Sequence, residues 1–75
     1  MTTVHIDGWH HEFGKVSLTK TLQAGAGLSL SQAKAMTDSV LEQKTVSVSL
    51  PSRAEAEALA AQLRSLGGLI VRVSD

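Results

Sequence analysis

The side chains best suited to chemistry crowd the N-terminal end, where His5, Asp7, His10, His11 and Glu12 are all metal-ligand or acid–base types. A divalent cation would need His10 and His11 to fold back over His5. Neighbouring side chains of an extended chain point to opposite sides, and no histidine or cysteine follows downstream to complete a ligand set, so no metal site is expected. Catalysis finds equally little. Serine is plentiful, but cysteine and tyrosine are absent and the only histidines lie in the opening segment, away from any acid placed to orient one. Asp7 and Glu12 lack a pocket in so short a chain. Gly25 and Gly27 do not follow a strand-like run, so they make no phosphate loop. A non-enzyme without cofactor is the expectation. Two other sets can mediate contact rather than reaction: Lys15, Lys20 and Lys34, with no acid between Lys15 and Met36, and the aromatic pair Trp9 and Phe13. The lysines form a local positive patch. The aromatics serve either as a contact anchor or as a lid on the open end of a small core.

The elements that must position these groups follow from periodicity. Val4 and Ile6 alternate with His5 and Asp7 between Thr2 and Trp9, the period of a strand with one buried face. Gly8 to Gly14 reads as a loop. From Lys15 to Gln23 the spacing of Val16, Leu18, Thr19 and Leu22 is helical, and Gly25 and Gly27 stop that helix at a tight bend. A helical hairpin should follow. Ser29 with Gln32 has the form of a capping box, with Leu28 and Ala33 placed as a hydrophobic staple, and Ala33, Met36, Val40 and Leu41 continue the helix to a turn at Glu42 to Lys44. Thr45 to Leu50 alternates cleanly, sending Val46, Val48 and Leu50 inward and Thr45, Ser47 and Ser49 to water. After Pro51, Ser52 and Glu55 repeat the capping pattern ahead of a stripe of Ala56, Leu59, Ala60, Leu63 and Leu66. Gly67 and Gly68 end that helix, and Leu69 to Val73 forms a last strand with Arg72 facing out.

The expected fold is therefore α+β, a two-layer β-α-α-β-α-β sandwich. Its three-stranded antiparallel sheet runs in order 2-1-3 and is covered on one face by three helices. Seventy-five residues hold one domain, and seven basic against seven acidic side chains give no general pull toward nucleic acid or anionic lipid. Neither is an expected partner. The absence of cysteine fits a reducing compartment, and the polar residues of the opening segment exclude a signal-peptide core, so the cytoplasm is the expected location. An outer strand is free to pair with a second copy, so the chain is expected to be a monomer or a weak homodimer.

The stretch Lys15 to Lys34, KVSLTKTLQAGAGLSLSQAK, resembles the helical hairpin in the C-terminal domain of the bacterial ribosomal stalk protein seven/twelve. It shares that family's K-V-x-x-x-K start, G-L-x-L turn and x-A-K close. The final segment, AEAEALAAQLRSLGGLIVRVSD, resembles the same family's third helix and last strand. The resemblance implies a face that captures translation-factor GTPases, elongation factors Tu and G among them, through basic and aliphatic side chains. Lys15, Val16, Lys20, Leu28 and Lys34 take matching places here. Thr19, Gln23 and Ser31 stand where the family carries an aliphatic, an arginine and a lysine, which should weaken or redirect the contact. The chain starts at the first strand, without the family's dimerisation segment and hinge, so a free-standing relative bound to a protein partner or the ribosome is expected. A second reading is architectural: the protease adaptor ClpS has a similar fold and binds peptide N-termini. Its acidic arm and pocket histidine have no counterpart in this sequence. Nucleic-acid binding through the lysines is the third and weakest reading.

Overall fold

Alternation in the first strand decides which way the whole sheet faces. In the computed structural model, which describes residues 1–75, β1 (Thr2–Trp9) buries Val4 and Ile6 to 1% exposure and turns His5 and Asp7 the other way. It is the central strand. β2 (Val46–Leu50) and β3 (Leu69–Ser74) flank it, both antiparallel, in the order β2-β1-β3. Register pairs Val4 with Val48 on one side and with Val73 on the other, so apolar side chains line up across the sheet. The β1–β3 ladder shifts between Ile6 and Trp9, a bulge where Gly8 takes φ 96°. Beyond it, the Gln43 side chain accepts from the Trp9 amide and donates to the Trp9 carbonyl, both at 3.1 Å. The end of β1 is thereby tied to the turn before β2.

Three helices cover the apolar face: α1 (Lys15–Ala26), α2 (Leu30–Leu41) and α3 (Arg53–Ser65). The sandwich and strand order match the expected fold. α2 and α3 lie on the strands, while α1 packs chiefly on α2 and α3. Leu18, Leu22, Leu59 and Leu63 are fully buried where these layers meet, each worth about 2 kcal/mol of transfer free energy. Val16, counted in the same helical pattern, lies on the outer face instead and is 66% exposed.

β2 begins at Val46 rather than Thr45, and three further expectations at element ends are corrected by particular contacts. α1 does not stop at Gly25 but runs to Ala26, because Gly25 is a packing residue: a Cβ there would stand 2.7 Å from Leu59 Cδ1. Gly27 is the stop, with φ 66° and its amide bonded to the Gln23 carbonyl. At α2 the Ser29–Gln32 capping box forms in full, the two reciprocal bonds measuring 3.1 and 3.2 Å. Ser52 makes only half of the second. Its hydroxyl accepts from the Glu55 amide at 3.2 Å, but the Glu55 carboxylate accepts from that same hydroxyl and leaves the Ser52 amide alone. Finally, β3 extends to Ser74, whose hydroxyl bonds His5 on the open side of the sheet.

Candidate protein-binding face

Helical spacing assembles a cleft between α1 and α2. Lys15, Thr19 and Gln23 recur every fourth residue on α1, as do Leu30, Lys34 and Asp38 on α2, and such residues share one face of a helix. With Val16, Lys20 and Thr37 they line a cleft of about 350 Å³. Val16 and Leu30 are the exposed aliphatics, one from each helix, at 66% and 50% exposure. Thr19 and Thr37 are buried at its floor. Their hydroxyls lie 2.9 Å apart, each also 3.0 Å from the carbonyl four residues earlier, Lys15 and Ala33 respectively.

The cleft is cationic because its lysines are unpaired. Lys44 meets Glu42 at 3.2 Å, Arg53 meets Asp75 at 2.6 Å, Arg72 meets Asp7 at 3.0 Å, and Arg64 donates to the Val71 carbonyl at 3.5 Å. Lys15, Lys20 and Lys34 have no acid within 4.0 Å and complete the seven cations of the chain. α1 also starts at Gly14 without a side-chain cap and without an acid in its first turn, so its free amides add positive potential beside Lys15. Asp38 bounds this patch at the end far from the bend.

Six residues singled out from the sequence thus come together here: Lys15, Val16, Thr19, Lys20, Gln23 and Lys34. Two do not. Leu28 packs against the core at the hairpin bend, and Ser31 is exposed but lies off the cleft, about 100° around α2 from Leu30. Thr19 is 9% exposed, so it forms floor rather than contact surface. Leu30, Thr37 and Asp38 escaped the sequence reading, although the spacing of four around Lys34 carries the signal for Leu30 and Asp38.

A second hollow, about 380 Å³, opens beside the first and is lined by Trp9, Glu12, Phe13, Lys15 and Leu41. The two aromatic rings meet edge to face with centroids 6.4 Å apart, and the indole N–H donates to the Leu41 carbonyl at 3.2 Å. The rings pack on the core edge and also wall an open notch.

The open sheet face is closed upon itself. His5 lies between two serines, Nδ1 2.8 Å from Ser47 Oγ and Nε2 2.7 Å from Ser74 Oγ, so neither ring nitrogen faces a carboxylate. Asp7 accepts two bonds from Arg72, at 3.0 and 3.2 Å, and one from Thr45 at 3.2 Å. The Arg72 hydrogen bonds hold the Asp7 carboxyl below the usual aspartate range against the opposing effect of partial burial, and Asp7 raises Arg72 in return. His10 and His11 meet edge to face in the loop, centroids 4.8 Å apart. No three histidine or carboxylate side chains converge as a metal would require.

The molecule is thus a small α+β domain presenting a lysine-lined hairpin cleft. No protein-family model matches the chain, and no curated protein matches it. No helix is long and apolar enough to cross a membrane.

Proposed function

We propose that this chain is a non-enzymatic protein-interaction module that docks an acidic, partly apolar partner surface in the cleft between α1 and α2. One observation carries the reading. The three lysines of that cleft have no acid within salt-bridge distance, and exposed Val16 and Leu30 stand among them. The resemblance of Lys15 to Lys34 to the stalk protein's hairpin supports the same face and suggests the partner class, a translation-factor GTPase. The chain then acts in the cytoplasm, as a monomer or weak homodimer, with no cofactor. Titrating an isotope-labelled sample with a purified translation GTPase tests this. Amide shifts should move across residues 15 to 38, and flat spectra there at high partner concentration sink factor recruitment.

A further inference from the structure

Lys15 lines both hollows, so the cationic cleft and the aromatic notch are parts of one continuous surface at the open end of the hairpin. We infer that the notch walled by Trp9, Phe13 and Leu41 takes a bulky apolar side chain of the same acidic segment whose carboxylates meet Lys15, Lys20 and Lys34. This rests on the docking reading above and adds to it an anchor, a register and a direction.

The notch has the chemistry of an anchor site. Trp9 is held at three points, by the Gln43 amide on its backbone N–H and carbonyl and by the Leu41 carbonyl on its indole N–H, so its ring is set before a partner arrives. The edge-on Phe13 completes an apolar wall, and rigid aromatic pockets beside charged rims are where binding energy concentrates. Charge decides what enters. Glu12, at the lip, pairs with no cation, and neither does Asp38 at the adjoining end of the cleft. Glu12 and Asp38 flank Lys15 at the open end and offset its pull on carboxylates there, while Lys20 and Lys34 attract them nearer the bend. The partner segment therefore lies with its apolar anchor between Trp9 and Leu41, its acids along Lys15, Lys20 and Lys34, and its far end over Leu30. The uniform negative charge of a nucleic acid would meet Glu12 and Asp38 at the mouth of the notch.

Two acetylated, amidated peptides of glutamate and alanine test this, one carrying a single terminal phenylalanine and one with alanine in its place. Trp9 is the only tryptophan, so its emission reports the notch directly. The phenylalanine peptide should shift Trp9 emission and bind roughly tenfold more tightly than its alanine counterpart. Phe13→Ala should bring that ratio close to one while the affinity for the alanine peptide is kept. Glu12→Gln, at an exposed site that leaves the fold alone, should strengthen binding of both peptides about twofold. Equal affinities, with Trp9 emission still and amide shifts confined to Lys20 and Lys34, would overturn the notch but leave the cleft standing. If neither peptide binds, the docking reading itself falls. Tighter binding of a peptide with a free N-terminal phenylalanine, lost in Glu12→Gln, would assign the notch to a peptide N-terminus instead and overturn the inference.

Discussion

Thr19 and Thr37 meet in the interior of the hairpin, where three contacts compete for two protons. Each hydroxyl has one hydrogen, yet the oxygens approach each other and two helical carbonyls. One of the three contacts is therefore always undonated, and the remaining hydroxyl can satisfy itself on its own helix. Thr37→Val should cost about 1 kcal/mol, and Thr19→Val likewise, but the double variant should cost less than their sum. Urea denaturation of the four proteins measures the coupling; strict additivity would mean that the two hydroxyls do not share a bond. Asp7 makes a different prediction. Its carboxyl is held low by Arg72, so the ion pair stabilises the fold at neutral pH and loses its effect as pH falls through the folded-state value, which lies below the usual aspartate range. Asp7→Asn should therefore lower the unfolding midpoint at about pH 7, and the gap to the parent should narrow as pH falls below the usual aspartate range. A constant gap across that range would show that the hydrogen bonds, not the charge, matter.

Gly25 shows at the level of the element why a sound local reading can place a helix end wrongly. Glycine inside a helix normally costs about 1 kcal/mol relative to alanine, which makes it look like a stop. Here the missing Cβ lets α1 close onto Leu59 of α3, and burying Leu18 and Leu22 outweighs the cost. Gly25→Ala should consequently destabilise the domain by about 1–3 kcal/mol despite its better helix propensity. A more stable variant by thermal unfolding would mean that the helices do not touch there. The strands, the Ser29 cap and the stripe of α3 were legible because each depends on neighbours within a few residues. The Gln43 clamp on Trp9 was not, since its partners lie 34 residues apart in the chain, and the half-formed Ser52 box turned on which neighbouring donor the Glu55 carboxylate takes.

Across the whole molecule, the two faces answer to different demands. The sheet face of Thr3, His5, Asp7, Arg72 and Ser74 satisfies its polar groups internally, while the hairpin face leaves three ammonium groups free. The lysines could be found from the acid-free run, and Val16 as a contact only from the resemblance; the spacing around Lys34 marks Leu30 and Asp38, but the approach of α2 to α1 is what makes one cleft of two helices. Separate faces imply separable effects. Reversing Lys15, Lys20 and Lys34 together to glutamate breaks no salt bridge and leaves the mutual repulsion of three like charges in place with the sign changed. Stability should stay within about 0.5 kcal/mol per site of the parent, because exposed and unpaired charges contribute little to folding. Affinity for an acidic partner should fall far more than tenfold, roughly, since each reversal turns an attraction into a repulsion at the same spot. Asp7→Asn should do the opposite, weakening the fold and leaving the partner's grip unchanged. Calorimetric unfolding alongside a binding titration of both variants reads the two effects independently. If the triple reversal unfolds the domain, or if Asp7→Asn weakens binding at equal foldedness, the hairpin is not an autonomous docking face carried on an indifferent sheet.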